Sequence, residues 1–360
     1  MAVSRLEIRE FGGPEVIRLV EDAALPEPGP GEVRIRAEAA SLVFTDMLIR
    51  RNLYPVLKPS LPLTLGYDVV GRVDGVGPGV TQWRIGDRVA DLTQMGGNAT
   101  HLVRPADGLV AVPQGLAATQ AEPVILSYMT AYQALFREAE VKPGEPVLIY
   151  GASGAVGLAA LDLCRAIGMP AVGVASARRE QTVTSLGAAF VAYDAADGAD
   201  GADGAAAAAK LNRLARDFNG FKAIVDAARG EALSSVTARL APSGRLVALG
   251  FSAAFRSAYK AGNASPGLFA RLGFAFDFLR IKGLSSRSGA ARRVTFYDIA
   301  QRRALHPAWF HDDLSTLFKL LEAGRIAPRI QRVFGLTEAV EAHRLIEAGQ
   351  VEGRLVLDLT

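Results

Sequence analysis

Residues 147–157 constrain the fold of this chain more than any other stretch. An apolar run of strand type, Val147-Leu-Ile-Tyr150, leads directly into Gly151-Ala152-Ser153-Gly154-Ala155-Val156-Gly157. A helical pattern then runs through Leu158, Leu161, Leu163 and Ile167 and stops at Gly168. Small residues in such a turn let a backbone approach a pyrophosphate, and the free N–H groups at the helix start hold its charge. Glycines at this spacing can also merely close a tight βαβ turn. The strand before them and the helix after them make the segment a candidate dinucleotide site.

The chain around this motif has two textures. Residues 1–113 read as β-rich, with short alternating runs at Val16–Val20, Glu32–Ala37, Val69–Val73 and Leu109–Val112. Pro/Gly turns such as Pro26-Glu-Pro-Gly-Pro-Gly31 and Gly75-Val-Gly-Pro-Gly79 divide them, which predicts a small closed or partly closed barrel. From about residue 120, helical segments alternate with apolar strands at Val147–Tyr150, Ala171–Ala175, Phe190–Tyr193, Ala223–Ala227 and Arg245–Gly250. That alternation is the pattern of an α/β doubly wound parallel sheet. The low-complexity stretch 195–209 reads as a surface insertion running into a helix. Residues 266–284 carry four phenylalanines at near-helical spacing, flanked by Arg271, Arg280 and Lys282. Three readings stay open there: a core or dimer-contact helix, the wall of an apolar substrate pocket, or a membrane-surface helix.

The end of the second strand of such a fold selects the cofactor. An acidic residue there bonds a ribose 2′-hydroxyl, whereas basic and small polar residues accept a 2′-phosphate. Here Ala171-Val-Gly-Val-Ala175 is followed by Ser176-Ala-Arg178-Arg179, with Glu180 placed on the following helix. A hydroxyl and two guanidiniums suit a phosphate dianion, so the pattern selects NADPH over NADH. Arginines that merely coated a helix N-terminus would oppose its dipole unless an anion sat there.

Composition removes several classes. The 40 basic and 37 acidic residues give a net charge of only +3, too balanced for a nucleic-acid binder. The single cysteine, Cys164, excludes an internal disulfide and any site needing two thiolates. The first residues lack a basic segment followed by an apolar core, and no apolar run is long enough to span a bilayer. The expectation is a cytoplasmic protein without membrane association.

Across most of its length the chain resembles the medium-chain dehydrogenase/reductase superfamily. The resemblance is carried by Gly66-Tyr-Asp-Val-Val-Gly71, Gly86-Asp-Arg-Val89, Met129-Thr-Ala-Tyr132, Gly151–Gly157, Ser243-Gly-Arg-Leu-Val247 and Gly353-Arg-Leu-Val356. It implies a GroES-like barrel over residues 1–124, a Rossmann NADPH-binding domain over 125–304, and a return to the barrel over 305–360. The alcohol dehydrogenases of that superfamily place zinc ligands where this chain has Val43 and Tyr67, and near Leu126 and Ser127. The four histidines (His101, His306, His311, His343) lie in no ligand-spaced motif, so no metal is expected. What remains is similar to the zinc-independent quinone oxidoreductase and enoyl reductase branch, in particular its synaptic-vesicle-membrane-protein-like subgroup. One departure is Val43, in Ser41-Leu-Val-Phe-Thr-Asp46, where the quinone reductases carry asparagine.

The resemblance implies that Ser176, Arg179 and Tyr193 contact the 2′-phosphate, that Thr130 lies near the nicotinamide, and that Gly250 passes close to the cofactor. Arg178 and Arg354 join the expected cofactor set, and a homodimer is implied. Alcohol oxidation needs a Lewis acid or a strong base, and neither is visible, so hydride transfer to a quinone or an α,β-unsaturated carbonyl is the expected chemistry. A dedicated enoyl-thioester reductase of a biosynthetic pathway and a non-catalytic, membrane-associated NADPH-binding protein are the alternatives. Tyr54, in Arg51-Asn-Leu-Tyr-Pro55, resembles the tyrosine of enoyl reductases assigned as proton donor. It either serves that role or packs in a Pro-bounded loop. Tyr67 either fills the old metal pocket or bonds the substrate carbonyl. Asp46 is expected as the N-cap of a helix beginning at Met47, and as a lesser candidate for the reaction itself.

Overall fold

The computed structural model describes residues 3–22, 24–54, 59–193, 202–228, 233–249 and 293–360. Gly250, the phenylalanine-rich segment 266–284 and residues 195–201 of the low-complexity stretch lie outside the described residues. The chain divides into two compact units, Met1–Met129 with Ala300–Thr360, and Thr130–Ile299. The first division falls inside a helical stretch that runs on from Ala118 to Glu138, which the sequence pattern cut at residue 124.

In the first unit the early strands are β1 (Val3–Ile8), β2 (Arg18–Asp22), β3 (Glu32–Leu42), β4 (Leu63–Thr64), β5 (Val69–Val76), β6 (Arg88–Asp91), β7 (His101–Pro105) and β8 (Val110–Ala111). β1 pairs antiparallel with β2 and β4. The expected run at Val16–Val20 starts late, because Pro14–Val16 form a 3-10 turn and the strand begins at Arg18. β3 is the spine. Val33, Ile35, Ala37 and Ala39 are buried on alternate positions, and from Ala39 to Leu42 every residue is covered. One side of β3 pairs with β5, continued by β6 and β8. Its first half also pairs with β7.

Among its described residues the second unit holds six parallel strands: β9 (Val147–Tyr150), β10 (Ala171–Ala175), β11 (Ala189–Ala192), β12 (Phe221–Asp226), β13 (Leu240–Ala248) and β14 (Val294–Phe296). They lie in the order β11-β10-β9-β12-β13-β14. This is the 3-2-1-4-5-6 order of a Rossmann sheet, with the direction of winding reversing at β9. All four residues of β9 are buried, as expected for a strand covered on both faces. Leu148, Val172, Val191, Ile224 and Leu246 join Leu211 and Val236 in the core of this unit.

The chain then returns to the first unit with the helix Pro307–Glu322, β15 (Ile330–Phe334), the helix Ala339–Glu347 and β16 (Arg354–Asp358). β16 pairs antiparallel with the covered end of β3, where Val356 faces Ser41. That register sets Arg354 beside the segment 66–68.

Candidate active site

Of the residues expected to hold the cofactor, Gly151–Gly157, Ser176, Arg178, Arg179 and Tyr193 follow the carboxyl ends of β9, β10 and β11. Gly151 takes a left-handed conformation (φ 74°), and the N–H groups of Gly151 and Ala152 both donate to Val174 O at 3.0 Å. That pair of bonds ties the glycine turn to the end of β10. The helix Ala155–Ile167 follows, with Gly154 as N-cap and no side chain capping it. Its first N–H groups therefore lack intrahelical partners, as a bound anion requires. A Cβ on Gly157 would lie 2.2 Å from Gly151 O, so only glycine lets the helix sit this close to the turn. Ser153, Ala155 and Val156 are half-buried, and Gly154 is exposed.

Beyond β10, Ser176 leads into the short turn Ala177–Arg179, and Glu180 starts the next helix as expected. Arg178 is exposed and Arg179 half-buried. Tyr193 follows β11, 46% exposed, its N–H donating to Ala175 O at 3.1 Å. The parallel register Ala175–Ala192 thus brings Ser176 and Tyr193 onto adjacent strand ends. A phosphate-bearing nucleotide fits this edge: hydroxyl and guanidinium groups are present and no carboxylate ends β10. Thr130 is buried in Met129–Tyr132, between two wider π-type turns at Val124–Tyr128 and Gln133–Glu138. Such turns often mark functional positions in helices.

In the first unit, Tyr54 and Tyr67 come together. Their hydroxyls are 3.3 Å apart and their rings meet edge to face at 6.4 Å and 87°. Tyr67 is buried and Tyr54 half-buried. The Tyr67 backbone is held at every side. Its N–H and that of Asp68 donate to Ser41 Oγ at 2.9 and 3.2 Å, and its carbonyl accepts from Gln94 N–H at 2.9 Å. The preceding Gly66 donates to Asp46 Oδ1 at 3.2 Å and accepts from Thr93 Oγ1 at 2.8 Å. Gly66 must be glycine: its φ is +107°, and a Cβ would lie 2.2 Å from Asn98 N.

Two expected roles change. Asp46 is not the N-cap. The helix spans Phe44–Arg50 with Val43 as N-cap, and Asp46 in its first turn reaches back to accept Val43 N–H at 3.0 Å. The helix starts three residues early because the carboxylate two residues inside the end can satisfy that backbone donor. Asp46 is fully buried, and burial pushes its carboxyl up to about 7, against the two backbone N–H groups that favour its charge. Arg354, expected with the cofactor residues, instead closes a buried ion cluster in the first unit. It is 3% exposed and engages both Glu122 oxygens and Asp68 Oδ2, the latter at 2.9 Å. Burial works against its charge, but Glu122 and Asp68 hold it firmly protonated. Burial and the neighbouring Glu122 raise the Asp68 carboxyl far above the usual range.

Glu122, Asp68 and Ser41 are the residues that sequence reasoning missed. A signal existed for Glu122, a lone charge in the otherwise apolar run Ala121-Glu-Pro-Val-Ile125. Among the described residues, no group of three or more His, Cys, Asp or Glu side chains could hold a metal ion, and no helix is long and apolar enough to cross a membrane.

Comparison with known proteins matches this geometry. Residues 29–122 match the alcohol dehydrogenase GroES-like domain, and residues 191–357 match the zinc-binding dehydrogenase domain. Two mycobacterial structures, a quinone oxidoreductase and a complex with NADPH, are each 26% identical and cover 99% of both chains, at TM-scores of 0.76 and 0.75. The chain belongs to the zinc-independent quinone oxidoreductase and enoyl reductase branch of the medium-chain dehydrogenase/reductase superfamily, a family of oxidoreductases that use a nicotinamide cofactor. The quinone oxidoreductase of Sus scrofa is 36% identical over 193 residues, 53% of this chain and 58% of that protein. The phthioceranic/hydroxyphthioceranic acid synthase of Mycobacterium bovis is 30% identical over 99% of this chain, which spans only 15% of that synthase.

Proposed function

We propose that this family member is an NADPH-dependent reductase acting on a quinone or an α,β-unsaturated carbonyl without a metal. The observation that carries the reading is the Tyr54–Tyr67 pair, two phenols within hydrogen-bond reach of each other. When bound, NADPH supplies the hydride. The acceptor's carbonyl oxygen then gathers negative charge, and a positioned O–H donor stabilises it without itself ionising. Tyr67 is the fixed donor, because its backbone is held by Ser41, Gln94 and the Asp46-bound Gly66. Tyr54, half-buried beside it, is the group that gives the acceptor its proton, and solvent restores the proton to its hydroxyl. Gly151–Gly157, Ser176, Arg178, Arg179, Tyr193 and Thr130 hold the cofactor in this reading.

Two measurements test it together. NADPH oxidation is followed with a panel of quinones, enones and enoyl thioesters; turnover of quinones or enones is expected, and silence across the whole panel rejects the activity. Preference for thioesters alone would assign the chain to the enoyl-thioester role instead. Arg179→Ala should weaken NADPH binding at least about tenfold and leave NADH binding nearly unchanged. Equal losses for both cofactors would remove the 2′-phosphate assignment.

A further inference from the structure

The cluster around Arg354 joins three segments that are far apart in sequence. Arg354 stands at the start of β16, Glu122 in the helical stretch Ala118–Pro123, and Asp68 next to Tyr67. Its guanidinium bridges them: Nε donates to Glu122 Oε2 at 3.2 Å, and Nη2 donates to Glu122 Oε1 and to Asp68 Oδ2. All three groups are 3% exposed or less. Two buried carboxyl groups, Glu122 and Asp68, bond the guanidinium, and the buried Asp46 lies within reach of its charge. Asp68 Oδ1 has no hydrogen-bond partner, so this carboxyl is oriented through its contacts with Arg354 and Glu122. Asp68 and Tyr67 share the Ser41 hydroxyl through consecutive N–H groups, so any turn of Asp68 is passed to the Tyr67 backbone.

We propose that Arg354, acting through Asp68 and Glu122, is a positioning residue that fixes the Tyr67 phenol, and that it does not bind the phosphates of the nicotinamide cofactor. The proposal rests on the reductase reading only for its kinetic arm. A bidentate fork to one carboxylate with a third bond to another is a geometry that lysine cannot reproduce. Loss of the fork removes the side-chain tie on Asp68, the neighbour of Tyr67, and lets the phenol drift from the acceptor oxygen, and a displacement of an ångström costs on the order of a hundredfold in turnover.

The experiment compares Arg354→Met, Arg354→Lys and Glu122→Gln in the full chain. Three readouts are taken: kcat with a quinone or enone, the NADPH dissociation constant, and the fluorine NMR signal of 3-fluorotyrosine incorporated at Tyr67. The expected result is a roughly hundredfold fall in kcat for Arg354→Met, partial recovery in Arg354→Lys, a displaced fluorine signal, and an unchanged NADPH dissociation constant. If Arg354→Met does not fold, Glu122→Gln removes one arm at constant shape and is read the same way. A fluorine signal at its wild-type position together with an NADPH dissociation constant raised tenfold or more would overturn the proposal and return Arg354 to the cofactor. A displaced signal with wild-type kcat would overturn it as well. If the wild-type chain reduces no acceptor, the reductase reading fails separately, and the NADPH and fluorine arms still decide the role of Arg354.

Discussion

The two tyrosines differ in how they are held, and that difference sets what each substitution does. Tyr67 is buried, and its backbone N–H and carbonyl are both bonded to other segments. Tyr54 is half-buried, ten residues after the N-terminal end of the helix Phe44–Arg50, and touches Tyr67 through its hydroxyl and ring edge. Removing a preorganised donor from an oxyanion costs about a hundredfold in kcat, so Tyr67→Phe should lose that factor while keeping its NADPH affinity. Tyr54→Phe should lose less, because water can reach its place. Steady-state kinetics on the best acceptor check both, and a Tyr67→Phe enzyme with wild-type kcat would remove the phenol from the reaction. The sequence left two roles open for each tyrosine and did not show their meeting: thirteen residues separate them, and no local pattern fixes how the chain returns. Asp46 shows the same limit at shorter range. Its residue type marked a helix start nearby, three residues too late, because an aspartate can cap from outside the helix or reach back from within the first turn, and only the backbone decides.

At the scale of elements, the strand–turn–helix at Val147–Ile167 was fully legible, because its physics is local. The helix even ends where glycine permits a left-handed residue, at Gly168 with φ 78° and its N–H bonded to Cys164 O. Two of the three glycines of this turn, Gly154 and Gly157, make separable predictions. Gly157→Ala would place a Cβ 2.2 Å from Gly151 O and 2.7 Å from Ala152 Cα, both backbone atoms that cannot swing aside. It should destabilise the chain by about 1–3 kcal/mol and weaken NADPH binding with it. Gly154→Ala meets nothing closer than 3.4 Å and has ordinary negative φ, so its melting temperature should stay at the wild-type value. Thermal denaturation with and without NADPH separates the two, and a wild-type melting temperature and NADPH affinity in Gly157→Ala would contradict the close approach seen here. The ion clusters were not legible in this way. Arg354 and Glu122 are 232 residues apart and Arg50 and Glu347 are 297 apart, so each is a property of the strand return that closes the first unit.

For the molecule as a whole, two buried titratable groups pull stability in opposite directions with pH. His343 is fully buried, with both ring nitrogens unpartnered, near Arg50, whose guanidinium bonds Gly12 O and Glu347. Burial first, then Arg50, pushes His343 down to about 3, with Glu347 opposing. Its ordinary value is about 6.5, so between pH 3 and 6.5 the unfolded chain binds a proton that the folded one refuses. The stability it contributes is present above pH 6.5 and is lost as pH falls. Asp46 is the reverse. Its folded value of about 7 lies above the ordinary 3.8, so the folded chain holds a proton that the unfolded one has released. Its contribution is present below 3.8 and is lost as pH rises to 7. Across the shared window the two slopes cancel in the native chain, and single substitutions should expose them. Relative to wild type, His343→Leu should gain stability as pH falls from 6.5 to 4, and Asp46→Asn should gain it as pH rises from 4 to 7, each by about a tenfold change in folding constant per pH unit. Urea midpoints at half-unit steps of pH measure both differences. A His343→Leu difference that stays flat over that window would mean that the imidazole is protonated in the folded chain, with its proton shared toward Glu347 rather than refused.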